Sequence, residues 1–311
     1  MKHEISPHFV LSDEIYEALG SKIPVVALES TVITHGLPFP HNLRLAQDME
    51  TMVRDHGAIP ATIALFDGNA RIGLEQSEIE ILARTKDIQK ISTRDIAAAI
   101  AKGKSGGTTV AATMFIAYAA GIRVFATGGI GGVHRRSEEA GPNTLDVSAD
   151  LSQLARTPII VVCAGAKAIL DLPATVEYLE TCEVPVIGYG SDEFPGFFMI
   201  GTGLRTSTRA DAPDEVVQIA RMHWKIGMES AVLVVNPPPG EAAMSAAQVE
   251  QVVKQALNEA AQEKIDGQQV TPFLLNRVRE LTGGESLHSN LALLKNNARL
   301  AAQIACAWVA K

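Results

Sequence analysis

Pro24-Val-Val-Ala-Leu-Glu29 is the stretch that decides the fold class, because its apolar run ends at a carboxylate and a polar loop. Continuous apolar runs of this length are typical of strands that are buried on both faces of a sheet. The segment that follows has apolar residues at helical spacing, namely Leu45, Met49, Met52 and Val53. A buried strand followed by an amphipathic helix predicts an α/β protein.

The rest of the first two thirds of the chain repeats this alternation. A β-hairpin is predicted at 61–66 and 70–74, around the turn Asp67-Gly68-Asn69. Ser77 and Glu80 have the spacing of a capping box, which predicts a helix start. Short β-branched runs recur at 88–91, 122–126, 159–163, 184–187 and 231–235, with helical patterns between them. The pattern predicts a sheet covered by helices on both faces, and the hairpin makes that sheet mixed.

The C-terminal third is predicted to be helical. Segments 246–264, 272–281 and 287–310 are rich in Ala, Leu, Gln and Glu, and no linker of low complexity separates them from the preceding chain. We therefore expect one catalytic domain over residues 1–311. Its C-terminal helices, about 245–311, would pack on the α/β core or on a neighbouring subunit.

The composition excludes a disordered chain and disfavours two classes of partner. Of the 311 residues, 47% are hydrophobic, which is enough apolar surface for a large core. A net charge of −8 disfavours binding to nucleic acid or to an anionic membrane. The three cysteines lie far apart, and the longest apolar run is too short to span a bilayer. We expect a cytoplasmic protein without a nucleic-acid or membrane partner.

Polar residues that directly follow the predicted strands are the candidates for chemistry, because the carboxyl ends of such strands face one crevice. Glu29 ends the first strand, where partial desolvation suits a carboxyl group to general acid catalysis. A helix cap or an ion pair with an arginine is the other interpretation of Glu29. Lys167 follows the strand at 159–163 among small residues. It is either an amine nucleophile or an ordinary paired lysine.

Three segments are candidates for binding a phosphate. The loop Thr127-Gly-Gly-Ile-Gly-Gly-Val-His134 follows a strand, and the amides of such loops form anion-binding nests, unless the loop is purely structural. Gly106-Gly-Thr-Thr109 is expected to open a helix whose amides and hydroxyls bind phosphate, or to be an ordinary N-cap. Lys90 and its neighbours Ser92 and Arg94 would add positive charge, or would form ion pairs at a helix start.

Asp146-Val-Ser-Ala-Asp150 has two carboxylates four residues apart across a predicted helix start. Such a pair suits a hard divalent cation. Ser148 as an N-cap, with Asp150 in the first helical turn, explains the same pattern, and both interpretations stay open. Of the eight histidines, only His134 lies in one of the candidate loops.

Taken together, these segments resemble the pseudouridine-5′-phosphate glycosidases, which have the indigoidine synthase A-like fold. The resemblance rests on ALEST at 27–31, THGLPFPHN at 34–42, ATGGIGGVHR at 126–135, DVSAD at 146–150 and VVCAGAK at 161–167. It continues through VPVIGY at 184–189 and VVNPPP at 234–239, and it ends near SLHSN at 286–290. It therefore spans most of the chain.

The resemblance implies a three-layer α/β/α enzyme, a homotrimer, with one manganese-type divalent cation per subunit held by Asp146. Such enzymes reversibly cleave the C–C glycosidic bond of pseudouridine 5′-phosphate, a small-molecule substrate, to uracil and ribose 5-phosphate. Lys167 would form a covalent imine with C1′ of the ring-opened ribose, and Glu29 would donate a proton. The substrate-binding residues would be Lys90, Thr108, Thr109, Val110, Thr127, Gly128, His134, Ser148, Ala149, Asp150 and Asn290.

This chemistry accounts for a lysine where ordinary glycosidases have a second carboxylate. A C-glycoside lacks the leaving-group oxygen that those enzymes protonate, so a carboxylate pair would not suffice. An imine to the opened sugar supplies an electron sink instead. The alternatives are a Schiff-base aldolase or lyase for another sugar phosphate, and a non-enzymatic sensor of a phosphorylated ligand. One departure from the family pattern is the longer segment RRSEEAGPNTL at 135–145, between His134 and Asp146.

Overall fold

The structure is a computed structural model that describes residues 6–135, 146–265 and 270–310. Its strands are β1 (Phe9–Leu11), β2 (Val25–Leu28), β3 (Ile59–Phe66), β4 (Asn69–Ile72), β5 (Gln89–Ile91), β6 (Gly106–Thr108), β7 (Val124–Ala126), β8 (Val133–His134), β9 (Ile160–Cys163), β10 (Leu170–Asp171), β11 (Val186–Tyr189), β12 (Thr208–Ala210) and β13 (Val232–Val235). Its helices are α1 (Asp13–Gly20), α2 (His41–Asp55), α3 (Gln76–Arg84), α4 (Ile96–Ala101), α5 (Val110–Ala119), α6 (Ala149–Leu154), α7 (Leu172–Thr181), α8 (Pro213–Lys225), α9 (Ala246–Gln262), α10 (Val270–Leu281) and α11 (Glu285–Ala310).

A large mixed sheet forms the centre of the molecule, as the alternation predicted. Its strands run in the order β1-β4-β3-β2-β7-β9-β13-β11-β12, and β6, with β5 beside it, pairs with β3 off this path. The strands from β3 through β2, β7, β9, β13 and β11 to β12 are all parallel. The predicted hairpin is β3–β4, which is antiparallel, and it makes the sheet mixed.

Helices cover both faces of this sheet, so the three-layer α/β/α architecture is confirmed. Every residue of β2, β7, β9 and β13 is buried. The C-terminal helix α11 lies against β2, β7 and β9 and packs between α2 and α8, whereas α5 packs against β2, β3 and α6. The C-terminal helix α11 therefore packs on the α/β core of the same chain. The single-domain organisation stays a prediction.

Two local predictions were wrong in detail. The helix expected to start with Ser77 and Glu80 is α3, and its capping box is formed by Glu75 and Glu78, two residues earlier. The carboxylate of Glu75 itself accepts the N3 amide, so a glutamate takes the role expected of a serine. Gly106–Thr108 is the strand β6, so the segment opens a helix only at its last residue, Thr109, as the N-cap interpretation held. Only Thr109 caps α5, through a hydrogen bond that its hydroxyl accepts from Ala112 N.

The register of the central strands fixes which residues meet at the carboxyl edge of the sheet. Leu28 of β2 is paired with Ala126 of β7, and Ala126 is paired with Val162 of β9. The next residue of each strand therefore comes level at the edge: Glu29, Thr127 and Cys163. No helix within the described ranges is both long and apolar enough to cross a lipid bilayer.

Candidate active site

A cavity of about 440 Å³ opens at the carboxyl edge of the central strands. All but two of the predicted site residues line it, namely Glu29, Lys90, Thr109, Val110, Gly128, His134, Asp146, Ser148, Ala149, Asp150, Lys167 and Asn290. They come from separate strand ends, helix starts and α11. Their convergence confirms that the residues after the strands share one crevice, as an open α/β sheet requires.

Thr108 and Thr127 are the two predicted site residues that do not line the cavity. Thr108 is fully buried. Its hydroxyl donates to Ile63 O at 2.6 Å, and its amide donates to Ser30 Oγ at 2.9 Å. Both polar groups therefore form hydrogen bonds within the protein interior. Thr127 is also fully buried, but it acts on the site at one remove because its hydroxyl donates a hydrogen bond to the Glu29 carboxylate.

Glu29 lies between this threonine and the cavity. Burial raises the pKa of Glu29, while the charge of Lys167 and the hydrogen bond from Thr127 act in the opposite direction. Desolvation is the largest of these effects, so the neutral carboxylic acid is favoured relative to an exposed glutamate. A raised pKa suits this carboxyl group to proton donation inside the cavity.

Lys167 is the last residue of a tight turn that follows β9. Gly165 has a φ of +85°, and a β-carbon there would collide with Pro195 O, so a glycine is required. Ala166 pairs with Ile130 in an isolated bridge, and Lys167 N donates to Ile130 O at 3.1 Å. Both ends of the turn are thus fixed, and the side chain of Lys167 extends into the cavity. Cys163, at the start of this turn, is fully buried, and burial raises its thiol pKa to about 12, so it is a core residue as expected.

Glu29, Lys90, Asp150 and Lys167 are among the charged side chains that line the cavity. Burial lowers the pKa of Lys90, and the positive charge of Lys167 lowers it further, while Asp150 and Glu29 partly offset both effects. The positive charge of Lys167 thus disfavours a second positive charge on Lys90. The same arrangement attracts an anion, because a phosphate would neutralise the pair.

Asp150 organises the backbone around the site. Its Oδ1 accepts a hydrogen bond from Ala111 N at 2.9 Å, and its Oδ2 accepts one from Gly131 N at 2.8 Å. A β-carbon at Gly131 would collide with Ser148 Oγ, so this approach requires a glycine. Ser148 is the N-cap of α6, as one of the two interpretations held. The Gly131 amide therefore serves Asp150, and an anion-binding role for the other amides of the loop stays a prediction.

Asp146 is the predicted metal ligand, and it lies at the rim of the cavity. Its side chain is 64% exposed, and its Oδ2 is 3.8 Å from His134 Nδ1. Burial lowers the pKa of His134, although the Asp146 charge acts against this. Residues 6–135, 146–265 and 270–310 contain no group of three or more His, Cys, Asp and Glu side chains that could hold a metal. A single exposed carboxylate does fit a hard ion such as Mn²⁺ or Mg²⁺, which keeps most of its waters and binds through one or two carboxylates.

His35 is the residue that the sequence interpretation missed. It lines the cavity beside Lys90, so His134 is not the sole histidine there. Its Nδ1 is 2.7 Å from Thr34 Oγ1, and burial together with the charge of Lys90 lowers its pKa. His35 lies in a π-helical turn, Val32–Gly36, and such turns are frequent at functional sites. The motif THGLPFPHN contained it, but hydrophobic spacing does not reveal a π-helical turn.

The remaining segment of interest to the sequence interpretation is the longer loop before Asp146. Residues 136–145 of this segment lie outside the described residues. Arg135, its first residue, pairs with Glu250 of α9 at 2.8 Å.

Comparison with known proteins decides the family. The family model for indigoidine synthase A-like proteins matches residues 14–307. The chain belongs to the indigoidine synthase A-like family. Two relatives named pseudouridine-5′-phosphate glycosidase are similar over almost the full length. The one from Paracoccus denitrificans (strain Pd 1222) is 52% identical over 303 residues, 97% of this chain and 98% of the relative. The one from Geobacillus kaustophilus (strain HTA426) is 51% identical over 296 residues, 95% of this chain and 97% of the relative.

Solved structures of indigoidine synthase A-like proteins have the same fold. The prealnumycin C-glycosynthase AlnA, solved in complex with ribulose 5-phosphate, has a TM-score of 0.88 and 41% identity, with 97% of each chain covered. An indigoidine synthase A-like protein from Thermotoga maritima has a TM-score of 0.87 and 35% identity, with 97% of this chain and 98% of that chain covered. The family resemblance inferred from the motifs is confirmed.

Proposed function

We propose that the protein is an enzyme that reversibly cleaves the C–C glycosidic bond of pseudouridine 5′-phosphate, giving uracil and ribose 5-phosphate. The observation that carries this proposal is that Lys167 and Glu29 enter one cavity, where the positive charge of Lys167 acts on the pKa of Glu29. Relatives named pseudouridine-5′-phosphate glycosidase that cover almost the full chain support the choice of substrate.

The first stage of the proposed mechanism opens the ribose ring. The neutral amine of Lys167 attacks C1′, the C1′–O4′ bond breaks, and O4′ takes a proton from the Glu29 carboxylic acid. The new ammonium on Lys167 returns a proton to the Glu29 carboxylate. The result is a secondary amine that joins Lys167 to C1′, with the uracil still attached through its C5 atom.

The second stage breaks the C–C bond. C5 of the uracil takes a proton from Glu29, and the C1′–C5 electron pair remains with the ring while the lone pair of the Lys167 nitrogen forms the C1′=N bond. The protonated uracil ring thus accepts the electron pair of the broken bond, and the Lys167 nitrogen supplies the pair that forms the iminium. Uracil leaves, and water then hydrolyses the iminium to the aldehyde of ribose 5-phosphate and the Lys167 ammonium. This ammonium returns a proton to the Glu29 carboxylate, which restores the starting state.

The phosphate end of the substrate is assigned to Lys90 and the start of α5. Lys90, Thr109 and Val110 line the same part of the site, and a helix N-terminus favours an anion. Asp150 already accepts the Ala111 amide, so we assign the phosphate to the Lys90 ammonium, the Thr109 hydroxyl and the Val110 amide. This arrangement suits a phosphate dianion.

Asp146 is proposed to hold one Mn²⁺, with its exposed carboxylate as the protein ligand. Such an ion supplies positive charge that offsets the phosphate dianion when both are bound.

A homotrimer in the cytoplasm completes the proposal. Apolar C-terminal helices and the family resemblance support the trimer, and a phosphorylated substrate that does not cross membranes supports the compartment. The molar mass in solution at micromolar protein concentration tests the assembly: three chains agree with it, and one chain contradicts it.

Release of free uracil tests the proposed function directly. Purified protein with Mn²⁺ and pseudouridine 5′-phosphate should yield uracil and ribose 5-phosphate in equal amounts. A Schiff-base aldolase for another sugar phosphate is the second candidate, since AlnA was solved with ribulose 5-phosphate. That candidate predicts turnover of ribulose 5-phosphate or related ketoses and no uracil release, which would contradict the proposal.

A further inference from the structure

A buried asparagine on the C-terminal helix contacts the backbone of the active-site loop. Asn297 of α11 is fully buried. Its Nδ2 donates to Thr127 O at 2.9 Å and to Gly128 O at 3.3 Å, and its Oδ1 accepts a hydrogen bond from Asn236 Nδ2 at 3.1 Å. Carbonyl oxygens only accept hydrogen bonds, so these two partners fix which edge of the Asn297 amide faces the loop.

The two asparagines together span the ends of three adjacent parallel strands. Thr127 and Gly128 follow β7, Cys163 ends β9, and Asn236 follows β13. Asn236 N donates to Cys163 O at 2.8 Å, so the asparagine pair ties the end of β13 to both neighbouring strand ends. No side chain of this pair lines the cavity, since neither residue belongs to its described wall.

Both proposed catalytic groups depend on the backbone that the pair holds. The hydroxyl of Thr127 donates to the Glu29 carboxylate. Gly128 O accepts a hydrogen bond from Ala164 N at 2.9 Å, at the beginning of the turn that ends in Lys167. A shift of the Thr127–Gly128 peptide would therefore move the partner of Glu29 and the base of the Lys167 turn at the same time.

We propose that Asn297 is a positioning residue that sets the mutual geometry of Glu29 and Lys167 through the carbonyls of Thr127 and Gly128. This inference rests on the proposed function for its kinetic test and on the structure alone for its second test. An apolar side chain in its place would satisfy the surrounding helix, whose neighbours Ala298 and Ala301 are fully buried. It would remove the side-chain donor of Thr127 O and would leave Gly128 O with Ala164 N alone. The amide of Asn297 is therefore needed for its hydrogen bonds to the loop and not for the packing of the helix.

The kinetic test compares Asn297→Ala and Asn297→Asp with Leu300→Ala. Asn297→Asp keeps the shape of the side chain but replaces the donor with an acceptor. Leu300 is a buried residue of the same helix with no polar contact to the loop, so its truncation reports the effect of destabilising α11 alone. Assays are run well below the melting temperature of each variant.

We expect both Asn297 variants to lose roughly tenfold to a hundredfold in kcat, because small misplacements of reacting groups have effects of that size. KM for pseudouridine 5′-phosphate should change far less, since the phosphate and rim residues are not displaced. Leu300→Ala should keep its kcat while its melting temperature falls. If the Asn297 variants keep the kcat of Leu300→Ala, the positioning role is overturned.

Amide hydrogen exchange gives a second test that needs no turnover. The peptide that covers residues 124–131 should exchange faster in Asn297→Ala than in Leu300→Ala, and equal exchange would overturn the inference. If the wild-type protein releases no uracil, the proposed function fails, and this exchange comparison still decides the structural claim. If Asn297→Ala does not fold, Asn236→Ala takes its place with the same criteria, because it removes the anchor of the Asn297 amide.

Discussion

Thr127 donates a hydrogen bond to the carboxylate of Glu29, and the parallel register of β2 and β7 places the two residues side by side. The hydrogen bond favours the charged form of Glu29, whereas burial favours the neutral form and has the larger effect. The pKa of Glu29 therefore depends on Thr127, a residue far away in the sequence that the sheet places beside it.

Replacement of Thr127 by valine should raise the pKa of Glu29 further, because a hydrogen bond to the charged form is lost. If protonated Glu29 is the acid, activity falls as the pH rises through the pKa of Glu29. This fall should occur at a higher pH in Thr127→Val than in the wild type. We also expect kcat to fall about tenfold, as expected for loss of a hydrogen bond to a charged group. The pH dependence of kcat for uracil release measures both effects.

Thr127→Ser is the matched control for this prediction, because it keeps the hydroxyl group. It should retain the wild-type pH dependence. A basic limb that stays in place in Thr127→Val would show that Glu29 is not the group whose proton is required.

Removal of divalent cations should abolish turnover if Asp146 holds one. Excess chelator should stop uracil release, and added Mn²⁺ should restore it. Asp146→Asn should need a much higher Mn²⁺ concentration, because a neutral amide is a weaker ligand for a hard cation. The half-saturating Mn²⁺ concentration of each variant is the measurement.

Asp192→Asn controls for the loss of one surface carboxylate. Asp192 is exposed, and its carboxylate lies 3.4 Å from the guanidinium of Arg209. It should have the wild-type Mn²⁺ dependence. Full activity of the wild type in excess chelator would remove the metal from the account.

Glu50 provides a prediction about stability away from the active site. Its carboxylate is buried and accepts hydrogen bonds from Thr62 Oγ1 at 2.6 Å and from Gln76 Nε2 at 2.8 Å. Burial raises the pKa of Glu50 in spite of these hydrogen bonds and the charge of Arg54. The folded state therefore holds this proton more tightly than the unfolded chain does.

The sign of the pH effect follows from linkage. The contribution of Glu50 to stability is fully present below the unfolded pKa and is lost as the pH rises through the higher folded pKa. Glu50→Gln removes this titration but keeps a hydrogen-bonding side chain. Its melting temperature relative to the wild type should rise by a few degrees from acidic to neutral pH. A constant difference across that pH range would contradict the assigned burial effect.

Much of the fold followed from the sequence because apolar periodicity reflects burial. The runs at 24–29, 159–163 and 231–235 became the buried strands β2, β9 and β13. Capping was harder, because Glu75 caps α3 with its own carboxylate and competes with the better-known pattern of Ser77 and Glu80. Gly106–Thr108 was assigned to a helix start, whereas pairing with β3 and β5 makes it a strand.

Site residues that directly follow strands could be predicted from the sequence. Roles that depend on contacts between distant parts of the chain could not. Glu29 and Lys167 could be chosen because parallel strands end at one edge. The occupation of the Gly131 amide by Asp150 depends on tertiary contact and has no local signal. The contact of Asn297 with Thr127 also has no local signal. The sequence predicted only that its helix packs on the core, and the two residues are 170 positions apart.

The central claim is that Lys167 is the nucleophile, and its neutral amine must form a bond to C1′. Lys167→Ala should fold normally and lose roughly a thousandfold or more in kcat. Lys167→Arg should also be inactive, because a guanidinium stays protonated. Lys295→Ala, which removes a partly exposed lysine that pairs with Asp48, should keep full activity.

The most direct measurement is borohydride reduction during turnover, followed by mass spectrometry of the digested protein. With pseudouridine 5′-phosphate, or with ribose 5-phosphate and uracil, the account predicts one added ribose phosphate on the peptide that contains Cys163-Ala-Gly-Ala-Lys167. The adduct should be absent from Lys167→Ala and present in Lys295→Ala. Near-normal uracil release by Lys167→Ala, with no adduct on the wild-type peptide, would contradict the covalent mechanism.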